Sequence, residues 1–386
     1  MREQSTSTLL LRRTPTLGMP VGLSKTLSQR LHMDFPLLLL LLATMGYGLV
    51  VLYSATNGEP YYLYRQVANF SVGLILMFVC AQFDILVVWR YLPFAYLLGV
   101  LALVATAFVG ITVNGSQRWL GVPGVFTFQP SEFFKLLAPL SVLWLVTRDG
   151  LPAGFRSMLL SLILIAIPTV LVLKQPDLGT TIIIAASGLC ALFLCGLSYR
   201  VIGVSVLMLL LSLPLVWNYV LEGYHKTRIL TYLDPHQDPL GNGWNAIQSM
   251  IAIGSGGAFG KGWTMGSQAA LGFLPESHTD FIFSVLSEEF GYVGFLVLML
   301  LYLAIIMRCF SIAKHAQATI SRLTTASLTM ILMVYVFINI AMVSGLLPVV
   351  GVPLPFISYG GTSVVSILIA LGLIMSIATH KRQMNR

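Results

Sequence analysis

The side chains best suited to chemistry stand in a polar stretch between Glu222 and Gly291, with apolar sequence on both sides. The stretch contains PESHTDF at 275–281, in which His278 and Asp280 are two positions apart. It also contains lysine, arginine and a run of glycines between 254 and 262. Ionised groups beside hydrocarbon are costly and usually serve a function. The stretch therefore predicts a site for a charged substrate that is tethered to a membrane.

Seven basic residues lie away from the short loops and tails that hold the others. They are Arg65, Arg118, Lys135, Lys174, Lys226, Arg228 and Lys261. Taken singly, Arg65 or Lys174 could merely extend from a helix end towards water. Most of the set, however, stands beside glycine, proline or a carboxylate. As a set they are predicted to bind an external anion.

Two further motifs, QPSE at 129–132 and QPDLG at 175–179, have the form of helix starts. Proline in the first turn with a nearby serine or aspartate is typical of a helix N-terminus, and several such N-termini at one membrane face would suit phosphate. Ordinary capping explains Pro130 and Pro176. It does not explain Glu132 and Lys135, which stand one turn apart inside a span and are predicted to form a functional pair.

The spacing of Ser277 and Asp280 matches a capping box at the start of the next span. Asp280 could therefore be only a helix cap. Glu288 and Glu289 follow two turns deeper and are not explained by capping.

Composition sets the frame for these residues. Of the 386 residues, 57% are hydrophobic and only 9% are charged, which indicates a polytopic membrane protein rather than several soluble domains. The fold class predicted is all-α, with about ten transmembrane helices. Apolar runs place them near 35–54, 67–82, 91–110, 130–147, 157–173, 180–197, 201–221, 283–307, 324–345 and 359–379.

Charge placement predicts the topology. The net charge of +8 comes mainly from short loops and tails, which argues for orientation signals and against nucleic-acid binding. Both termini are predicted to be cytoplasmic: a tail at 1–33, an uncleaved transmembrane domain at 34–380, and a short tail at 381–386. The large loop 222–280, between spans seven and eight, then faces outward.

Three outer segments have a predicted conformation. Residues 243–253 carry apolar side chains on one helical face and are expected to lie flat at the interface. The glycines around Lys261 lack the spacing of a P-loop and are interpreted as hinge and close-approach positions. The Pro- and Gly-rich outer segment Gly345–Gly361 is expected to be re-entrant or packed, which is tolerated only against protein or water.

Four motifs in order resemble those of the SEDS proteins, a family that polymerises peptidoglycan or assists in it. They are FQPSE at 128–132, QPDLGT at 175–180, PESHTDF at 275–281 and ISYGG at 357–361. The run 343–356 resembles the elongation branch, the rod-shape-determining protein RodA, more than the division branch FtsW. The likeness covers residues 34–382, and the first 33 residues carry none of it.

The resemblance implies a glycosyltransferase that polymerises lipid II into glycan strands at the outer face of the bacterial inner membrane during elongation. It implies a class B penicillin-binding protein as partner, with other elongation-complex membrane proteins and undecaprenyl-linked glycan. It identifies Asp280 as the essential residue, which we interpret as the general base. The candidate substrate-binding residues are Glu132, Lys135, Arg118, Lys174, Asp177, Lys226, Arg228, Lys261, His278, Glu276 and Ser358. The metal requirement stays open, with a divalent cation such as Mg²⁺ as the candidate cofactor.

Two other functions remain open at this point. A lipid II transporter should carry its charges near the bilayer midplane, whereas Asp280 and most of the unusual cations fall at predicted outer ends. A non-catalytic scaffold for the cross-linking partner would leave Asp280 replaceable.

Overall fold

The computed structural model describes residues 27–113, 116–122, 126–197, 203, 207, 211–212, 214–220, 223–233, 242–274 and 276–380. Both predicted tails fall wholly or largely outside these residues. So do ten of the 21 residues of the seventh predicted span, 201–221, and residues 234–241 of the large loop.

Helices dominate the described chain. They are α1 Leu27–Leu31, α2 Phe35–Ala55, α3 Pro60–Gln82, α4 Ile85–Val109, α5 Pro130–Asp149, α6 Phe155–Leu173, α7 Leu178–Leu194, a π-helix Val216–Val220, α8 Gly223–Leu233, α9 Asn242–Ser255, α10 Ser267–Ala270, α11 Ile282–His315, α12 Thr319–Val343 and α13 Thr362–Thr379. Seven of them are long and apolar enough to cross a membrane, namely α2, α3, α4, α6, α11, α12 and α13. The shorter apolar α7 and the charged α5 match two more predicted spans. The predicted all-α polytopic class is confirmed.

A small sheet between α4 and α5 was not predicted. Strands β1 Ile111–Val113, β2 Ser116–Val122 and β3 Phe126–Phe128 form an antiparallel sheet in chain order. Leu120 lies opposite Phe128, and Ile111 lies opposite Trp119. The strands are too short for a clear alternation of apolar and polar residues, and β2 carries Arg118.

Helices α5, α12 and α13 form the centre of the bundle. Two thirds of the most apolar window of α12 and of α13 is buried, against about a fifth in α3 and α4. Close helix approach depends on glycine: a Cβ on Gly73 would collide with Leu368, and a Cβ on Gly372 would collide with the Met77 carbonyl. Small residues let neighbouring backbones approach in this way.

Odd and even spans alternate in direction, which brings two sets of ends together. One end, here called the loop end, contains the last turn of α2, the first turns of α5, α7 and α11, and the segment before α13. At the opposite end, Arg308 forms an ion pair with Asp34 at 2.6 Å, and the His32 and His380 rings stack at 3.9 Å.

Helix α11 is broken at Gly291, where φ is 62° and ψ is −157°. This left-handed conformation suits glycine, and a Cβ there would lie 2.8 Å from the Ala258 carbonyl oxygen. The glycine-rich loop packs on the break through backbone hydrogen bonds, including Lys261 N to Glu288 O at 2.9 Å and Tyr292 N to Gly257 O at 3.0 Å. The close-approach interpretation of this loop is confirmed at Gly260, where a Cβ would collide with the Glu289 backbone.

The predicted interfacial helix corresponds to α9. Ser249 and Ala252 are fully buried, and Ser249 Oγ donates to Val343 O at 2.9 Å, so this face packs on α12. Met250 and Ile251 are exposed, as expected for the apolar face of an interfacial helix.

Candidate active site

Asp280 lies at the loop end, just before α11, with its side chain half-buried. Phe281 and Ile282 are buried and anchor the segment that follows. The side chain of Asn339, on α12, donates to Asp280 O at 2.9 Å and to Val352 O at 2.6 Å. A Cβ on Gly351 would lie 3.3 Å from Asp280 Oδ2. The carboxylate therefore lies beside a glycine, and the absence of a side chain at Gly351 leaves room next to Oδ2.

Ser277 does not form the predicted capping box. Its Oγ donates to Ala55 O at 3.2 Å, while the N-cap of α11 is Phe281. The serine thus attaches this segment to the end of α2, and the capping interpretation was wrong for Ser277.

Ser358 and His278 fix the two segments around Asp280. Ser358 Oγ donates to Thr279 O at 2.6 Å and accepts from Leu354 N at 2.8 Å, and the residue is buried. Tyr359 N donates to His278 O at 2.9 Å. These contacts tie the PESHTDF segment to the chain that enters α13, so Ser358 positions the backbone on either side of Asp280.

The His278 ring lies against two tyrosines, with ring centroids 4.9 Å from Tyr62 and 5.9 Å from Tyr359. Burial lowers the pKa of His278 below its usual value, and the Glu276 carboxylate partly opposes this shift. The imidazole is therefore neutral near pH 7 and can accept or donate one hydrogen bond. Glu276 itself is exposed and accepts from Thr279 Oγ1 at 2.6 Å.

Asp177 begins α7 and joins three elements. Its Oδ1 accepts from Thr180 N at 3.1 Å, as an N-cap does, and its Oδ2 accepts from the Gln129 side chain at 2.9 Å. Arg118, from β2, lies 3.6 Å from Oδ2 and also donates to the carbonyls of Gln175 and Pro176. The unpredicted sheet therefore serves to bring a guanidinium to the start of α7.

Glu132 and Lys135 form a buried ion pair, with Lys135 Nζ 2.6 Å from Glu132 Oε1. Their exposed fractions are only 6% and 2%, so the pair points into the bundle and not into lipid. Glu132 Oε2 lies 3.2 Å from Ser366 Oγ and 3.5 Å from the Tyr335 hydroxyl. The ammonium also faces the Tyr335 ring at 4.8 Å from its centroid, which adds cation–π attraction.

Helix α12 links this pair to Asp280. Tyr335, beside Glu132, and Asn339, bonded to the Asp280 segment, are four residues apart and so lie on one face of the helix. The start of α7 packs closely against the segment next to Asp280, since a Cβ on Gly179 would collide with the Val350 carbonyl. Asp280, Asp177 and the Glu132–Lys135 pair thus belong to one polar region at the loop end.

A family model named FTSW_RODA_SPOVE and described as cell cycle protein matches residues 34–383. The chain belongs to this family. It is the SEDS family that the motifs indicated.

Relatives in the family align over nearly the whole chain. The chain is 46% identical to "Peptidoglycan glycosyltransferase MrdB" of Escherichia coli strain K12, over 94% of this chain and 98% of that protein. It is 33% identical to "Stage V sporulation protein E" of Bacillus subtilis, over 90% and 98% respectively.

Solved SEDS structures share the fold. A chain from a peptidoglycan synthase complex that coordinates polymerization and crosslinking matches with a TM-score of 0.75 and 33% identity, covering 90% of this chain and 97% of that chain. The rod shape determining protein RodA of Thermus thermophilus matches with a TM-score of 0.65 and 28% identity, covering 90% and 96%. Family and apolar helices together identify a multi-pass protein of the inner membrane.

Four further cations of this SEDS protein were predicted to bind substrate. Lys261 Nζ pairs with Glu288 Oε1 at 2.6 Å, and Lys226 Nζ lies 6.0 Å from the centroid of the Trp217 ring. Lys174 ends α6 and is exposed. Arg228 lies on α8, and its side chain falls outside the described residues. Substrate binding by these four residues stays a prediction.

Sequence reasoning missed Asn339 and Tyr335 as parts of the site. Asn339 was a detectable signal, because an amide inside a long apolar helix is costly unless its hydrogen bonds are satisfied. Tyr335 gave no comparable signal, since tyrosine is common in buried helices. A set of three or more His, Cys, Asp or Glu suited to a metal is absent among the described residues. Asp280 with substrate phosphates would still suit Mg²⁺, which is often bound by one or two carboxylates plus phosphate.

Proposed function

We propose that this chain is a peptidoglycan glycosyltransferase that polymerises lipid II during cell elongation, with a class B penicillin-binding protein. The observation that carries the proposal is the half-buried Asp280 carboxylate over Gly351, in a chain 46% identical to a named peptidoglycan glycosyltransferase. The loop end is proposed to face outward and both termini to lie in the cytoplasm, as the distribution of basic residues favours.

The proposed reaction needs a base and a stabilised leaving group. Asp280 accepts the proton of the attacking sugar hydroxyl, whose oxygen forms a bond to the anomeric carbon of the donor. The bond from that carbon to the lipid pyrophosphate breaks, and the pyrophosphate leaves with the electron pair. Lys135 and the N-termini of α5 and α7 favour negative charge in the same region. A divalent cation such as Mg²⁺, if bound, would neutralise the pyrophosphate further.

The partner is proposed to act by ordering the outer loops. These loops are rich in glycine, and fixing each residue costs about 1–2 kcal/mol of conformational entropy. A partner packed on them would offset that cost and increase the population of the active conformation. Hydrogen exchange should show protection at 242–274 together with faster polymerisation. Faster polymerisation with no new protection would require another route of activation.

Lipid II polymerisation by the purified protein, alone and with its partner, tests the function directly. Asp280→Asn should abolish strand synthesis while membrane insertion and partner binding persist. Glu59→Gln is the matched control, because Glu59 is an exposed carboxylate near the same end and makes no side-chain cap bond. Near-normal synthesis by a folded Asp280→Asn protein would refute the proposal and favour a scaffold. Movement of lipid II across vesicles without strand synthesis would favour a transporter.

A further inference from the structure

A polar cavity opens at the loop end, between the end of α2 and the chain before α10. Its volume is about 360 Å³. It is lined by Tyr53, Ser54, Asn57, Gly58, Thr264, Gly266 and Glu289. None of these residues takes part in the reaction derived above.

The Glu289 side chain faces this cavity with one oxygen unsatisfied. The residue is 2% exposed, and Oε1 accepts from Ser54 Oγ. The backbone N–H groups of Thr264 and Gly266 also stabilise this carboxylate, but Oε2 has no partner with hydrogen-bond geometry within the described chain. A buried carboxylate oxygen without a partner is costly, so its presence points to a ligand that donates to it.

The neighbouring carboxylate does not explain this oxygen. Glu288 is completely buried, but its Oε1 pairs with Lys261 at 2.6 Å and also accepts from Ser267 N at 2.9 Å. Lys261 is therefore already engaged, and Glu289 has no comparable cation among the described residues.

The cavity wall also carries backbone strain. Asn57 and Thr264 have φ values of 52° and 63°, which are uncommon for non-glycine residues and unfavourable for β-branched threonine. Such a strained backbone persists only where the surrounding structure enforces it, and it is found most often at functional sites.

The size and chemistry of the cavity select the ligand class. An amide, two hydroxyls, a carboxylate and the exposed ring of Tyr53 surround a space much larger than a single ion needs. Carboxylate and amide groups bond to adjacent hydroxyls, and an aromatic ring packs on the apolar face of a sugar. A hydrated cation would use the oxygens but not the ring.

We propose that this cavity is a subsite for one sugar ring of the glycan strand, away from the reacting sugars, with Glu289 Oε2 accepting from a sugar hydroxyl. The proposal rests on the polymerising function. Asp280 lies just before the first residue of α11, Ile282, and Glu289 lies seven residues further along the helix, a rise of about 10 Å at 1.5 Å per residue. A strand held at both places would remain bound between successive additions.

Binding of chitotetraose, a β-1,4-linked N-acetylglucosamine tetramer, tests the subsite by saturation-transfer NMR on the purified full-length protein. Glu289→Gln and Asn57→Gly should each weaken binding about tenfold, the factor expected for loss of one charge-assisted or amide hydrogen bond. Asn57→Gly is suited to the left-handed backbone, so folding is retained. Glu59→Gln, at an exposed carboxylate near the same end, should bind the tetramer like the unchanged protein.

Strand length supplies a second readout. Glu289→Gln should give shorter strands with a similar initial rate. Unchanged binding and strand length in both cavity variants would overturn the subsite while leaving the proposed function intact. Binding of Mg²⁺ alone at the cavity, with no tetramer, would overturn it in favour of a cation site. Absence of any strand synthesis by the unchanged protein would instead refute the proposed function, and tetramer binding would still report on the cavity.

Discussion

The Glu132–Lys135 pair allows its structural and functional roles to be separated. Lys135→Met leaves the Glu132 carboxylate buried without its partner, and breaking a buried pair in this way costs about 3–5 kcal/mol. Glu132→Gln/Lys135→Met replaces the pair by neutral groups of similar shape. The double variant should therefore recover most of the lost free energy of unfolding, because no isolated charge remains.

Activity should not recover with stability. If Lys135 attracts the anionic part of the substrate, the double variant will fold well and still synthesise few strands. The assay combines SDS-induced unfolding with lipid II polymerisation on the same preparations. The control is Arg308→Met: its pair with Asp34 has the same 2.6 Å separation, but the arginine side chain is 36% exposed and lies at the opposite end.

The control variant should lose less stability than Lys135→Met, because Arg308 is partly exposed and Asp34 keeps its hydrogen bond from Leu37 N, and it should keep its activity. Two results would refute the reasoning. A stable Lys135→Met protein would mean that Glu132 is not an isolated buried charge. Full activity in the double variant would mean that the pair contributes to stability and not to catalysis.

Two further predictions concern the residues around Asp280. Burial lowers the pKa of His278 in the folded protein, so the unfolded chain binds more protons on acidification. The free energy of unfolding should fall as the pH drops below about 6.5, and it should fall less in His278→Gln; parallel curves for the two proteins would exclude His278 as the cause. Asn339→Leu leaves the Asp280 and Val352 carbonyls without their donor, at about 1–3 kcal/mol each, and should lower kcat more than it raises KM. Thr329→Val on the same helix removes a hydroxyl that bonds to Thr325 O and interacts with the Cys309 thiol, but contacts neither the Asp280 nor the Val352 carbonyl, and it should change neither kcat nor KM; an equal loss in both variants would mean general damage to α12.

The sequence predicts the bundle well because each span is a long apolar run, and membrane helices must satisfy their own backbone hydrogen bonds. Pro130 and Asp177 predicted the starts of α5 and α7 for the same local reason, since helix N-termini have characteristic residues. The small sheet could not be predicted in this way. Its strands contain only three to seven residues, and their pairing depends on neighbours rather than on local pattern.

The partners of charged residues were the other unpredicted part. Lys261 and Arg118 look alike in sequence, as cations near glycine, proline or a carboxylate. One pairs with Glu288 and the other holds the α6–α7 junction, because long-range packing decides which carboxylate each cation meets. The amide of Asn339 reaches two separate segments for the same reason.

The break at Gly291 gives α11 two parts with different mechanical behaviour. The part before the break carries Glu288 and Glu289 and follows directly from Asp280, while the part after it continues into the bundle. The glycine-rich loop bonds to both parts: Lys261 and Gly262 donate to the carbonyls of residues 288 and 289, and Tyr292 and Val293 donate to the carbonyls of Gly257 and Ala258. The loop therefore bridges the break, and a displacement of the loop changes the angle between the two parts and with it the position of Asp280.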